Sequence, residues 1–270
     1  MIHEQEAWIH RLYTYAASQI IRSTPKLFLW SADRTSYLIA HSSAVLLKIE
    51  GDHYLITAAH CLSQGGKTIQ VSILDENGVP HLIKGLVAIQ RGESDSIDVA
   101  VVKLSDKSVQ AVSKAYAFID ATCQVMLNDN IKHQTDYLIV GYPNSGTRID
   151  NKKRKVRYSP LVHISQSASP EVCTKLNVNH SVSLLLSYNQ RKSTFIERKE
   201  LNMAPDPIGI SGGGLWYIPR YDLPAVEGVQ YLLCGVLVEH YSNHNFVKAT
   251  KTEAIIPLIQ NLRNKNANIS

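Results

Sequence analysis

The sequence predicts an all-β protein with one helix near each end. Three observations predict this class. Short runs rich in Leu, Ile and Val alternate with turn residues through most of the chain. Apolar residues recur at helical spacing only near the two termini. The composition, 44% hydrophobic and 19% charged, is typical of a packed globular chain and excludes a disordered one.

The first helix is predicted over residues 4–22, because Trp8, Leu12, Ala16 and Ile20 recur near helical spacing with polar residues between them. Thr24-Pro25 ends the pattern, since the residue before a proline is disfavoured in a helix. Two interpretations stay open. The helix is either a strut packed on the outside of the β structure or a docking element for a partner or an oligomer.

The strands that follow are short and separated by turns. Gly51-Asp52 supplies one such turn, between the first two strands. In the first half we predict strands at 37–48, 54–57, 68–74, 81–89 and 97–104. Residues 105–125 cross to the second half, where strands are predicted at 137–142, 155–165, 181–187, 213–218, 230–239 and 245–249, before a closing helix at 252–264.

Three segments each place one reactive side chain at a distinctive position. Residues 55–61 put His60 at the end of an apolar run, residues 96–102 put Asp98 inside another, and residues 209–214 put Ser211 among glycines. An aspartate in an apolar strand is costly unless it is paired. A serine hydroxyl needs a base, and histidine suits this because its ordinary pKa is about 6.5. The order His, Asp, Ser therefore predicts a catalytic triad.

The glycines around Ser211 have a backbone role in this interpretation. The amide groups of Gly209 and Ser211 are expected to point together at a developing oxyanion, and Gly209 can adopt positive φ without a Cβ clash. One such donor is worth about 3–4 kcal/mol.

Together these segments resemble the chymotrypsin/trypsin-like serine peptidases, in particular bacterial stand-alone intracellular members. The resemblance covers roughly residues 36–260, and Gly141-Tyr142-Pro143 and the runs 235–240 and 246–250 also resemble segments of that family. It implies two six-stranded antiparallel β-barrels. The expected division is an N-terminal helix at 1–24, a first barrel at 25–120 with His60 and Asp98, and a second barrel with the C-terminal helix at 121–270, which carries Ser211.

Two positions depart from the pattern of the family. Animal digestive members have an aspartate before the nucleophile that binds a newly cleaved N-terminus, whereas this chain has Ile210. We therefore expect activity without N-terminal trimming. Val238 stands where the family usually supplies a serine hydroxyl to the catalytic aspartate, so Asp98 is expected to rely on backbone amides or water.

The specificity pocket has five candidate residues: Asp206, Ile208, Val238, Glu239 and His240. Asp206 would favour a Lys or Arg side chain of the substrate by charge pairing, or it is a turn aspartate between two prolines. His240 would instead favour an acidic side chain, as in glutamyl endopeptidases. Both alternatives stay open at this stage.

Charge and cysteine use limit the partners and the compartment. The net charge of +5 does not favour nucleic-acid binding. The basic run 151–157 is either a solvated loop or a guide for an acidic or regulatory partner. The sequence has no long apolar span, no signal-like start and no metal-like spacing among its four cysteines. We expect a cytoplasmic protein with free thiols, no membrane contact, no metal and no cofactor.

The leading functional hypothesis is a serine endopeptidase that hydrolyses peptide bonds through an acyl-enzyme. The resemblance also implies a role as an effector that cleaves one specific protein. The alternatives are a peptide- or partner-binding module with little or no turnover on the same fold, and a strict esterase.

Overall fold

The structure is a computed structural model, and it describes residues 2–31, 37–64, 66–92, 97–125, 136–153, 155–189, 205–219 and 229–267. Its main features are a long N-terminal helix, a β-rich body and a C-terminal helix, as the sequence predicts. Among the helices that it describes, none combines the length and apolar character needed to cross a membrane.

Helix α1 (Ile2–Ile21) matches the predicted first helix. Its buried face includes Leu12, Tyr13, Ala16 and Ile20. These side chains join an apolar cluster that draws residues from both halves of the chain and from the C-terminal helix. The buried face of α1 is therefore occupied within the chain, in line with the strut interpretation.

The first half forms two main sheets. In its described part the strands are β1 (Lys26–Ser31), β2 (Tyr37–Ser43), β3 (Val45–Ile49), β4 (Asp52–Thr57), β5 (Ser63–Gln64), β6 (Lys67–Thr68), β7 (Val71–Leu74), β8 (Pro80–Leu82), β9 (Gly85–Arg91) and β10 (Asp98–Leu104). One sheet has the order β2-β1-β7-β8. In the other sheet, β3-β4-β10-β9 are neighbours, with a short strand from the crossing segment beside β3.

The crossing segment contains regular structure of its own. It holds α2 (Asp106–Val112), β11 (Ile119–Asp120) and α3 (Ala121–Gln124). The hydroxyl of Ser105 caps α2 by accepting a hydrogen bond from the amide of Ser108. Strand β11 pairs in parallel with β3, which attaches the end of the crossing segment to the first half.

The second half is built on one six-stranded sheet. The described elements are β12 (Asp136–Gly141), β13 (Thr147–Asp150), β14 (Lys155–Tyr158), β15 (Leu161–Gln166), α4 (Pro170–Lys175), β16 (Ser183–Ser187), β17 (Gly214–Tyr217), β18 (Leu232–Tyr241), β19 (Phe246–Lys251) and α5 (Thr252–Ala267). The sheet order is β15-β12-β17-β18-β19-β16. Its outer strands meet just past β15, where Ser167 bridges to Leu186. Strands β13 and β14 form a separate hairpin.

The structure revises the predicted strands in several places. Strand β1 was not predicted, and the predicted strands 37–48, 81–89 and 155–165 are each divided into two shorter strands. Two closed six-stranded barrels are not confirmed. The strands of the first half lie in two main sheets, whereas the second half has a single six-stranded sheet. The all-β class and the two terminal helices are confirmed.

Candidate active site

His60 lies in a short 3₁₀ helix directly after the buried strand β4. Ala58 and Ala59, which are small and fully buried, bring the chain close to the core just before His60. The imidazole itself is about a third exposed, since 36% of its side-chain surface is accessible. His60 is therefore held by a buried backbone but is open to the solvent side of the protein.

Asp98 is the first residue of β10 and is only 7% exposed. Its Oδ2 accepts a hydrogen bond from Nδ1 of His60 at 2.5 Å. Its Oδ1 accepts a second hydrogen bond, from the backbone amide of His60, at 3.1 Å. The expectation that a backbone amide supports Asp98 is confirmed. Both carboxylate oxygens hold the same histidine, which fixes the orientation of the ring.

This pair shifts the pKa of each partner in opposite directions. The hydrogen bond to Asp98 raises the pKa of the His60 imidazole above its ordinary value of 6.5. Burial opposes the charge on Asp98, but the hydrogen bond and the charge of His60 outweigh burial and lower the pKa of the carboxyl below 3.8. The pair therefore favours a carboxylate beside an imidazolium.

Ser211 follows a tight turn, and we call residues 207–212 the nucleophile turn. The amide of Ile210 donates to the carbonyl of Pro207 at 2.9 Å and closes this turn. Gly209 has a φ of +95°, the left-handed region that the third residue of such a turn requires. A Cβ there would lie 2.3 Å from Oδ1 of Asn144, so both the backbone angle and the space require glycine.

The nucleophile turn is attached to both halves of the chain. The amide of Ser43 donates to the carbonyl of Ser211 at 2.8 Å. The amide of Gly212 donates to the carbonyl of Leu237 at 2.7 Å. Gly212 has a φ of +85°, and a Cβ on it would lie 2.0 Å from the carbonyl oxygen of Ser43. The close approach of the two halves therefore requires glycine at this position.

A cavity of about 550 Å³ brings the predicted residues together. His60, Asp98 and Ser211 all line it, although they come from opposite halves of the chain. In the described part of the chain no hydrogen bond joins the Ser211 hydroxyl to the His60 imidazole. In ligand-free enzymes this contact is often long and tightens only when substrate binds.

Four of the five specificity candidates line the same cavity: Ile208, Val238, Glu239 and His240. Gly209, one of the two proposed oxyanion donors, lines it as well. Asp206 is absent from the lining. It is exposed, and its Oδ1 accepts a hydrogen bond from the amide of Ile208 at 3.0 Å, as expected for a turn aspartate.

The cavity also contains an ion pair that sequence reasoning missed. Nζ of Lys248 lies 2.6 Å from Oε2 of Glu239, and the lysine is buried whereas the glutamate side chain is 44% exposed. Burial opposes the charge on Lys248, but the hydrogen bonds and electrostatic interactions with Glu239 and Tyr241 together outweigh it and raise the pKa. Burial lowers the pKa of His240, which favours its neutral form. The walls thus combine an acidic and a basic group.

Other lining residues also lay outside the predictions, among them His41 and Asn144. Nε2 of His41 lies 2.8 Å from the carbonyl oxygen of Cys61, next to His60. The one sequence signal for His41 was its place in a predicted strand 19 residues before His60. Asn144 follows Gly-Tyr-Pro directly, and this adjacency was the available signal.

The basic run and the cysteines lie outside the cavity lining, apart from Cys61. The run spans the hairpin of β13 and β14, where Lys152 and Lys153 are exposed and Arg154 lies outside the described residues. Three described cysteines are buried and form no disulfide: Cys61, Cys173 and Cys234. The side chain of Cys123 is outside the described part. Within that part, no group of three or more His, Cys, Asp or Glu residues has the arrangement of a metal site.

Comparison with known proteins finds likeness in fold without likeness in sequence. No family model matches the chain, and no curated protein matches it. Among the solved structures that match is a mutant of human heparin binding protein (CAP37), with 12% identity over 90% of this chain and 93% of that chain and a TM-score of 0.52. The fold is therefore chymotrypsin-like. A likeness at 12% identity shows the fold alone, so catalysis has to be argued from the site.

Proposed function

We propose that this protein is a serine endopeptidase whose triad is His60, Asp98 and Ser211. One observation carries the proposal. A histidine held through both oxygens of a buried aspartate lines the same cavity as a serine on a glycine-rich turn. A buried aspartate with only a structural role would need a hydrogen-bond partner. That partner would not have to line a cavity that also contains a serine.

The chemistry follows from the hydrogen-bond directions. Because Nδ1 of His60 donates to Asp98, the lone pair of the neutral ring is on Nε2. Nε2 takes the proton of the Ser211 hydroxyl as the oxygen attacks the carbonyl carbon of the substrate. The same proton then goes to the leaving amine as the C–N bond breaks. An ester on Ser211 remains, and water hydrolyses it by the same route.

Charge develops on the carbonyl oxygen during each attack, and the nucleophile turn is suited to meet it. The carbonyl oxygens of Gly209 and Ser211 accept hydrogen bonds from Ser43, through its hydroxyl and its amide respectively. These hydrogen bonds fix the peptide planes 209–210 and 211–212, and the peptide that carries the Ser211 amide lies between them. We propose the amides of Gly209 and Ser211 as the oxyanion donors, each worth about 3–4 kcal/mol.

The proposed substrate is a peptide in extended conformation, bound in the cavity between the two halves. We propose that the two halves correspond to residues 25–120 and 121–270, each as a barrel, with residues 1–24 as the packed helix. The side chain preference of the main pocket is set by the Lys248–Glu239 pair and by His240, which line the cavity.

Covalent labelling tests the proposal directly. A fluorophosphonate should label the wild-type protein on Ser211, and Ser211→Ala should remove the label. Ser72→Ala is a control, because Ser72 is a buried serine that does not line the cavity. A protein that never acquires the label, although its fold is intact, would contradict the proposal and favour the binding-module alternative.

The natural substrate can be sought with the same pair of variants. New protein termini should accumulate in an extract treated with wild-type protein and not in one treated with Ser211→Ala. Amide and ester model substrates distinguish a peptidase from a strict esterase, since only the peptidase should cleave both.

A further inference from the structure

Lys26, at the start of β1, is fully buried, with 0% of its surface exposed. Its Nζ donates to the carbonyl of Tyr142 at 2.7 Å and to Oδ1 of Asn144 at 2.6 Å. Burial lowers the pKa of this ammonium to about 7, and an electrostatic interaction with Cys61 opposes part of that shift. Burial of a charged lysine costs free energy, so the position of Lys26 in the core needs a structural explanation.

One acceptor of Lys26, the side chain of Asn144, is in contact with the nucleophile turn. The amide of Asn144 donates to the carbonyl of Ile208 at 2.7 Å. The side-chain oxygen of Asn144 lies where a Cβ on Gly209 would otherwise be, at 2.3 Å from that position. The oxygen that binds the ammonium therefore also packs against the backbone of Gly209. Movement of Lys26 would release the Asn144 side chain on which Gly209 rests.

The second acceptor reaches the same turn by another path. The amide of Tyr142, whose carbonyl binds Lys26, donates to the hydroxyl of Ser43 at 2.8 Å. That hydroxyl in turn donates to the carbonyl of Gly209 at 3.0 Å. The amide of Ser43 also binds the carbonyl of Ser211. Two independent chains of contacts thus connect one buried ammonium with the backbone of the proposed oxyanion donors.

We propose that Lys26 is a positioning residue, which holds the nucleophile turn in the conformation where the amides of Gly209 and Ser211 face the developing oxyanion. The inference rests on the proposed function, because it assigns a role to those amides. Ile210, directly before Ser211, is buried and apolar and provides no charge to anchor the turn. The ammonium that anchors it instead comes from the first β-strand of the same chain, which makes the site complete without any cleavage.

Lys26→Met tests this proposal, because it keeps the length of the side chain and removes the ammonium. Lys103→Met is the matched control: Lys103 is also largely buried and paired, at 2.8 Å from Asp52 of β4, whereas Lys26 binds Tyr142 and Asn144, which contact the nucleophile turn. We measure the rate constant for fluorophosphonate labelling per folded molecule, together with kcat and KM for a p-nitrophenyl ester. Lys26→Met should lower the labelling rate and kcat by about 10²-fold, the effect of a displacement of about 1 Å, with KM within about twofold.

If Lys26 had a purely structural role, Lys26→Met would lower the midpoint of unfolding and leave the labelling rate per folded molecule unchanged. The Nδ1 proton resonance of His60 should be the same in Lys26→Met as in wild type, which places the defect in the nucleophile turn. Asn144→Ala gives a second test if Lys26→Met does not fold, and the same loss of rate is expected.

The two proposals fail in different ways. Labelling of the wild type with equal labelling of folded Lys26→Met or Asn144→Ala would overturn the positioning role alone. Absence of labelling in the wild type would overturn the proposed function and the positioning role with it.

Discussion

Replacement of Asp98 by asparagine gives the sharpest test of the proposed triad. The carboxylate accepts two hydrogen bonds from His60, at 2.5 Å from Nδ1 and at 3.1 Å from the backbone amide. An asparagine of the same shape has one oxygen and one NH₂ group, so it has no charge and offers one acceptor fewer. The ring of His60 loses the partner that fixes its tautomer and stabilises its charged form.

The size of the effect follows from the shift in the pKa of His60. A rise from 6.5 to about 10 corresponds to roughly 5 kcal/mol of preference for the imidazolium. Because Cys61 contributes part of the shift and about a third of the imidazole is exposed to screening by solvent, the share of Asp98 is about 3 kcal/mol, or about 10²-fold in rate. Loss of the correct tautomer adds to this, and the same substitution in another serine peptidase costs about 10⁴-fold in kcat. We expect a loss of between about 10² and 10⁴-fold.

The assay is the pH dependence of ester hydrolysis and of fluorophosphonate labelling. Neutral His60 is the base, so wild-type activity should rise as the pH increases through the raised pKa of the imidazole. In Asp98→Asn this rise should move down towards pH 6.5, while the plateau is lower. An Asp98→Asn protein with wild-type rates and an unmoved pH profile would refute the assignment of Asp98.

The same pair makes a prediction for stability. The raised pKa of His60 contributes stability that is fully present below pH 6.5 and is lost as the pH rises through the raised value. The lowered pKa of Asp98 contributes stability that is present above pH 3.8 and is lost as the pH falls. Urea unfolding should therefore show the largest loss of unfolding free energy in Asp98→Asn, relative to wild type, from about pH 3.8 to about pH 6.5. A difference that is constant from pH 3 to about 10 would count against the ion pair.

Three substitutions test the nucleophile turn and the pocket. Gly209→Ala should lower the labelling rate per folded molecule by about 10²–10³-fold, because its Cβ would meet the side chain and the backbone amide of Asn144 at a positive φ and disturb one oxyanion donor. Gly212→Ala should lower stability by about 3 kcal/mol, seen as a Tm lower by roughly 10 °C, because its Cβ would meet the backbone of Ser43 at a positive φ; an unchanged Tm would contradict the packing. Asp206→Asn should leave the peptide-library profile unchanged, because Asp206 does not line the cavity, and a lost preference for Lys or Arg would show the reverse.

The sequence predicted the elements whose patterns are local. Helix α1 and the strand that carries Asp98 follow from periodicity and from apolar runs, and they lie within a few residues of the predicted bounds. Strand β1 was missed because Lys26 and the residues beside Thr24-Pro25 look like the end of a helix rather than the start of a strand. The division of strands within 37–48 depends on pairing with two different sheets, which is a long-range property.

In the candidate site, too, only the residues with a local sequence signal could be predicted. His60, Asp98 and Ser211 could be identified because the chemistry limits the residue type at each position, and the local sequence is unusual. Lys26 could not, because its role depends on two acceptors more than 100 residues away in sequence. Asp206 looked suitable by charge, but one local hydrogen bond to Ile208 is enough to explain its presence.

The nucleophile turn is tied to Ser43 on one side and to Leu237 on the other. Under the proposed function, a polypeptide still emerging from the ribosome has no working protease until nearly all of it has been synthesised. Newly made molecules therefore cannot nick themselves or one another while they are unfinished.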